Sequence, residues 1–320
     1  MKIVILDRNS LGMDIDLTMF GDFGTYEEHD VADRADCKKW IADAEVIVFN
    51  KTRMDEDMLQ HAPKVKLLCI TATGFDNIDV EYCKRRGIGV ANVRGYSTPA
   101  VAQHTFTLAL YLLEKIGYYD NYVKSGAYCK QLGFSNFDRV YTELEGKTWG
   151  IVGLGNIGTK VAEIATVFGC KVIYYSASGS HDSATYERVD FPTLLAQSDF
   201  ISIHCPLSDR TRNLFEENAF RAMKKSAIVI NVARGPVVND QDLYEALVSG
   251  EIAAAGLDVL GVEPMEESNP LGKIKDSEKL LITPHMAWAS VEARTRCAEE
   301  IYKNIQAFLN KEARNRLDIE

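Results

Sequence analysis

The feature that most restricts this chain is a glycine triplet in a particular setting. Gly153-Leu-Gly155-Asn-Ile-Gly158 follows the apolar run Thr148-Trp-Gly-Ile-Val and opens a helical pattern. A glycine triplet alone is a weak signal, because such spacings arise by chance. Placed between a strand and a helix it reads as a phosphate-binding turn. Gly153 permits the tight turn, Gly155 lets backbone approach a pyrophosphate, and Gly158 lets helix and sheet pack closely. The helix N-terminus then offers free N–H groups and a positive dipole end to the phosphates.

The rest of the chain fits that reading. Short apolar strand candidates stand at 2–6, 46–49, 66–70 and 88–93, and a second set at 148–153, 171–176, 200–205, 227–232, 253–259 and 279–283. Helix-length segments separate them, which implies βαβ units and parallel sheets. Six strands in the second set match a doubly wound dinucleotide-binding domain. A helix is expected from Thr98, with Pro99 at its first position, to about residue 116. Another is expected over 240–249, with Asn239 and Asp240 as cap candidates and Gly250 as its stop, and a long amphipathic one over 291–309. The stretch 125–142 is rich in Tyr, Phe and Gly without regular period. A subunit-packing arm and a surface loop both suit it.

Bulk properties exclude several classes. At ~100–200 residues per domain, 320 residues suggest two domains with real cores. A net charge of −10 argues against nucleic acid or an anionic membrane surface as main partner, since both need a basic face. The longest uncharged stretch, 95–113, holds Pro99, Gln103 and His104 and reads as a buried helix, not a membrane span. The apolar run at the N-terminus is too short for a signal peptide. Seven cysteines, an odd number with none at C-x-x-C spacing, suggest reduced thiols, no metal ribbon and a cytoplasmic location.

Three residues of complementary chemistry follow successive strands, where open α/β sheets place their ligands. Arg234 follows 227–232, Glu263 lies five residues past Asp258, and His285 follows 279–283. Each alone is unremarkable; three on neighbouring strand ends, downstream of a dinucleotide turn, are not. Reducing a 2-keto acid requires a hydride at C2 and a proton on its oxygen. An arginine fork binds the carboxylate and polarises the carbonyl. A histidine delivers the proton, and a carboxylate beside it orients the ring and favours the imidazolium. The same groups in reverse oxidise a hydroxy acid.

Cofactor choice is less determined. The second strand of the dinucleotide domain ends at Ser176, in Ser176-Ala-Ser-Gly-Ser180, where an acid usually binds the ribose diol. No carboxylate repels a 2′-phosphate there and no cation attracts one. NAD(H) is the expected cofactor, with NADP(H) left open.

These motifs resemble the D-isomer-specific 2-hydroxyacid dehydrogenases over nearly the whole chain. The resemblance rests on Gly153–Gly158, Asn231-Val-Ala-Arg-Gly235, Gly256-Leu-Asp-Val259 with Glu263-Pro264, and Thr283-Pro-His285. It implies Arg234, Glu263 and His285 as catalytic residues. It implies cofactor contacts at Gly153, Gly155, Asn156, Ile157, Gly158, Ser176, Cys205, Pro206, Val232 and Asp258. It also implies that backbone N–H groups of Thr73 and Gly74 hold the substrate carboxylate, and that Tyr96 lines the substrate pocket. The implied fold is a Rossmann-type cofactor domain, 99–287, and a discontinuous flavodoxin-like substrate domain, 1–98 plus 288–320, with the active site in the cleft. The implied assembly is a homodimer built around the central domain.

Within the family, Gly95-Tyr-Ser-Thr98, Val101-Ala-Gln-His104 and His285-Met-Ala-Trp-Ala-Ser290 are similar to glycerate dehydrogenases, also called hydroxypyruvate reductases. Trp288 either narrows the pocket toward a small polar substrate or simply packs. Hydroxypyruvate or glyoxylate is therefore the expected substrate, and longer or aromatic 2-keto acids of the D-lactate or phenyllactate type are the alternative. An NAD(H)-sensing binding protein or co-repressor is the alternative of another class.

Overall fold

The computed structural model describes residues 1–30, 33–179 and 182–319. They form two compact units, Met1–Ser97 together with the segment from Trp288 onward, and Thr98–Ala287.

The first unit is built on β1 (Lys2–Ile5), β2 (Thr25–Glu28), β3 (Val46–Phe49), β4 (Leu67–Ile70) and β5 (Gly89–Ala91). All pair in parallel, in the order β2-β1-β3-β4-β5, which is the flavodoxin-like order. β3 and β4 are buried at every position, so their uninterrupted apolar runs are what a sheet covered on both faces demands. The long helix Val291–Leu309 belongs to this unit and packs on β4. Ser290 caps it by accepting the Ala293 N–H, and Asn304 donates to the Asn92 carbonyl at 2.9 Å. Four strands were expected here and five are present. The extra one, β2, is a largely exposed edge strand of sequence TYEE, and so carries no apolar signature.

The second unit holds β6 (Thr148–Val152), β7 (Lys171–Tyr175), β8 (Glu187–Arg188), β9 (Phe200–Ile203), β10 (Ile228–Asn231), β11 (Ala254–Leu257) and β12 (Leu280–Ile282). Their order is β12-β11-β10-β9-β6-β7-β8, all parallel. This is the doubly wound dinucleotide-binding arrangement with one strand added at an edge. The direction of winding reverses between β6 and β9, which is where such sheets bind ligands. Six strands were expected; β8, two exposed residues long, was the one without a signal. The expected helix from Thr98 ends at Glu114, short of residue 116. Lys115 takes φ +56° and a separate helix, Ile116–Lys124, begins.

Register in this sheet decides the geometry downstream. Asn231 stands beside Leu257, and Leu257 beside Ile282. The turns after β10, β11 and β12 therefore leave the sheet side by side. Helix Thr98–Glu114 packs across β10 and β11. A Cβ on Gly256 would lie 3.0 Å from Leu108 Cβ and 2.9 Å from Ile230 Cδ1, so the glycine admits that helix close to the sheet. Among the described residues, no helix is long and apolar enough to cross a membrane.

The helix Asp240–Ser249 has the boundaries its sequence predicts. Asn239 accepts from the Gln241 and Asp242 N–H groups at 3.0 and 3.1 Å, and Gly250 closes the helix at φ +76°. Replacing Asn239 by Ala is expected to cost about 1 kcal/mol of stability through the lost cap. An unchanged midpoint in chemical denaturation would remove the cap from the account of this helix.

Candidate active site at the strand ends

The glycine turn has the shape a pyrophosphate needs. Gly153 sits at φ +93°, and a Cβ there would meet the Cys205 backbone at 2.8 Å. A Cβ on Gly158 would come within 2.1 Å of the Gly153 carbonyl oxygen. Gly155 faces open space. Helix Asn156–Val167 begins directly after it without a side-chain cap, so its first N–H groups face outward past a bare backbone. A dinucleotide fits this cradle. Asn156 and Ile157 are its first two helical residues. Pro206 is exposed, while Val232 and Cys205 are buried. Ser176, directly after β7, is mostly buried, with its hydroxyl 3.4 Å from that of Ser178; Ser180 lies outside the described residues. His204 has both ring nitrogens buried without a partner among the described residues, and burial pushes its pKa down to about 3, so it stays neutral.

Glu263 and His285 are brought into direct contact. Glu263 Oε2 lies 2.6 Å from His285 Nδ1. The other carboxylate oxygen, Oε1, accepts the Leu260 N–H at 3.0 Å, so the acid is held by its own loop. Arg234 lies three residues past β10, half-buried, with one guanidinium nitrogen donating to the Ala233 carbonyl at 2.8 Å. Asn231 shapes that turn: its side chain donates to the Arg234 carbonyl and accepts the Ala233 N–H. The Arg234 turn and the Glu263 loop touch. A Cβ on Gly235 would fall 1.7 Å from the Leu260 carbonyl oxygen, so only glycine lets the two nest.

The turn that carries His285 is held from below by one residue. His285 has φ +54°, a left-handed conformation that non-glycine residues adopt at a cost of about 1–2 kcal/mol. Asp258 opposes that cost. Its carbonyl accepts the His285 N–H at 2.8 Å. Its Oδ1 accepts the Met286 N–H at 2.8 Å and the Thr283 hydroxyl at 2.6 Å, and its Oδ2 accepts the Ala287 N–H at 2.9 Å. Three successive backbone N–H groups thus end on one residue, which is 2% exposed. Asp258, for which a cofactor contact is expected, also anchors the histidine turn. Thr283 and His104, whose Nε2 lies 2.9 Å from the Thr283 hydroxyl, complete this cluster. Sequence reading missed both. They are 179 positions apart, and no local spacing relates them.

The remaining expected residues lie in the first unit. Thr73 is exposed and pinned on two sides: its hydroxyl donates to the Val93 carbonyl at 2.7 Å and its carbonyl accepts from Asn92 at 2.8 Å. Gly74 follows it, half-buried. Tyr96 is buried, its carbonyl accepts from Arg296 at 3.0 Å, and its ring meets Trp288 edge-on at 6.3 Å between centroids. Trp288 thus packs. Among the described residues, no group of three or more His, Cys, Asp or Glu could hold a metal ion.

Comparison with known proteins agrees with this geometry. Residues 106–287 match the model of the NAD binding domain of D-isomer specific 2-hydroxyacid dehydrogenases. A hydroxypyruvate reductase of Blautia hydrogenotrophica is 35% identical over 315 residues, covering 97% of each chain. A glyoxylate reductase of Thermococcus litoralis is 41% identical over 264 residues, 81% of this chain and 78% of that one. Among solved structures, an acyclic imino acid reductase in complex with NADPH and D-arginine superposes with a TM-score of 0.88 at 29% identity. It covers 99% of this chain and 100% of its own.

Burial pushes the Cys205 thiol up to about 11, so its thiolate is scarce at neutral pH. Cys205 is expected to resist alkylation by iodoacetamide at pH 8 in the native protein and to react once the chain is unfolded. Rapid native labelling, read by peptide mass spectrometry, would show that the turn beside Gly153 opens.

Proposed function

Because this chain belongs to the D-isomer specific 2-hydroxyacid dehydrogenase family, we propose that it reduces a short polar 2-keto acid, hydroxypyruvate or glyoxylate, to the D-2-hydroxy acid. Hydride transfer between a nicotinamide cofactor and C2 of the acid is the family's reaction. The preference for a small substrate rests on the relatives, a hydroxypyruvate reductase and a glyoxylate reductase. One observation carries the chemical assignment. Glu263 engages Nδ1 of His285 at 2.6 Å, which directs proton exchange to Nε2.

The nicotinamide, when bound, supplies the hydride to C2 or takes it back. On reduction of C2 the carbonyl π-electrons would move onto oxygen, and His285 would give this oxygen its Nε2 proton. Glu263 stabilises the imidazolium before transfer and keeps the ring in one orientation. Arg234 binds the carboxylate and carbonyl of the acid and draws charge toward the oxygen. Gly153, Gly155, Asn156, Ile157 and Gly158 would hold the pyrophosphate, with Ser176, Cys205, Pro206, Val232 and Asp258 lining the remainder. We propose NAD(H) as the cofactor with NADP(H) as the alternative, because Ser176 presents neither a carboxylate to repel a 2′-phosphate nor a cation to attract one. Thr73, Gly74, Tyr96 and Trp288 remain proposed substrate contacts on the strength of the resemblance. The seven free thiols suit a reducing compartment, and we infer the cytoplasm.

The test is a set of initial rates with hydroxypyruvate, glyoxylate, pyruvate and phenylpyruvate, each with NADH and with NADPH. The two small polar acids should give the highest kcat/KM. Higher values with phenylpyruvate would move the assignment to aromatic acids. Tight NADH binding with no consumption would make the protein a cofactor sensor. His285→Ala should lower kcat by about 10²–10⁴ while leaving cofactor affinity near wild type. Arg234→Ala should chiefly raise KM for the keto acid. Near-full activity in the His285 variant would remove the histidine from proton transfer.

We also infer a homodimer. Beyond helix Ile116–Lys124, which buries none of its residues, the chain exposes Leu132, Phe134, Phe137 and Val140 almost completely. An apolar surface of this kind marks an interface more often than bare solvent contact. Light scattering is expected to give twice the chain mass of 35.7 kDa, and Phe134→Asp with Phe137→Asp to give the single mass. A monomeric wild type would refute this.

A further inference from the structure

His104 takes no part in the chemistry assigned above, yet it is built into the same strand ends. It lies on helix Thr98–Glu114, one turn before Leu108. Leu108 is the residue that the bare Gly256 of β11 admits. One turn back along the helix is about 6 Å, and two residues forward along the strand is about 6.6 Å. Those two steps bring His104 to Asp258. Its Nε2 lies 2.9 Å from the Thr283 hydroxyl and 3.6 Å from Asp258 Oδ1, with the imidazole side chain 14% exposed.

The short contacts fix who donates. The Thr283 hydroxyl has one proton, and its oxygen sits 2.6 Å from a carboxylate oxygen. That separation between two oxygens requires a proton between them, and Asp258, already accepting two backbone N–H groups, is the acceptor. The Thr283 oxygen is therefore an acceptor toward His104, and Nε2 of His104 carries its hydrogen. The neutral tautomer suffices for this, and burial lowers the pKa of His104 against the opposing pull of Asp258. The result is a set of donors that converge on Asp258: His104 Nε2–H donates to Thr283 Oγ1, Thr283 Oγ1–H donates to Asp258 Oδ1, and the N–H groups of residues 285–287 donate to the Asp258 carbonyl and carboxylate oxygens.

We propose that His104 is a positioning residue for proton transfer: through Thr283 it fixes Asp258, and through Asp258 it fixes the turn that aims His285. This rests on the function proposed above, but its test reads the turn directly. Amide hydrogen exchange of the peptide spanning 285–287 is measured in the full-length protein without substrate, for wild type, His104→Leu, His104→Gln, Thr283→Val and the double variant His104→Leu/Thr283→Val. Loss of a buried hydrogen bond is expected to speed exchange in His104→Leu and Thr283→Val by about tenfold. Glutamine, which can place an N–H near the lost Nε2–H, should restore exchange to within about threefold of wild type. The double variant should exchange no faster than Thr283→Val, because one chain is broken once. Steady-state rates with the preferred keto acid should show kcat reduced in His104→Leu with KM for the cofactor unchanged.

Exchange unaltered in His104→Leu, additive effects in the double variant, or glutamine as damaging as leucine would each overturn the proposal. Should His104→Leu fail to fold, Thr283→Val and His104→Gln decide it. The first must speed exchange and the second must not. A wild type that turns over no 2-keto acid would sink the function above while leaving the exchange result to judge the turn.

Discussion

A buried carboxylate under a left-handed turn organises the strand ends of the second unit. Asp258 takes the N–H groups of His285, Met286 and Ala287 on its carbonyl and two carboxylate oxygens. Burying a carboxylate without partners is costly, so a site that does it must supply donors. Here the donors are the backbone of the turn that carries His285. Desolvation of Asp258 and the φ +54° of His285 are thus each compensated by the other. A histidine in a strained conformation has a defined direction only while something holds it there.

Around this anchor Arg234, Glu263 and His285 are arranged by sheet register. Parallel pairing sets Asn231, Leu257 and Ile282 abreast, so three separate turns emerge at one level. The Arg234 turn nests against the Glu263 loop because Gly235 has no side chain. The carboxylate of Glu263 then reaches His285 while its second oxygen is held by Leu260. Preorganisation of this kind is what proton transfer demands: groups in reach of each other before the reacting molecule arrives. The glycine cradle at Gly153, Gly155 and Gly158 follows the same logic, since it is the absence of side chains that gives the backbone its reach.

The order of legibility follows the range of the interactions. Helix Asp240–Ser249 was readable to its boundaries because Asn239 and Gly250 act within a few residues. Helix Val291–Leu309 was readable because its apolar stripe is strongly periodic. The exposed strands Thr25–Glu28 and Glu187–Arg188 left no trace, because an edge strand with wet faces has no apolar pattern to show. The break at Lys115 was equally silent, for the residue taking φ +56° is an ordinary lysine.

The chain's own order of residues determined the parallel α/β class, the tight glycine turn at Gly153–Gly158, and the placing of Arg234, Glu263 and His285 after neighbouring strands, because each is written in short spacings or strand-end positions. Tertiary structure alone decided that Asp258 faces inward as an anchor and that Thr283 and His104 stand behind it. Those three lie on β12's turn, β11's turn and a helix more than 150 residues upstream. Their meeting depends on strand register and on how closely a helix approaches Gly256. Neither quantity is local, so no reading of neighbouring residues contains it.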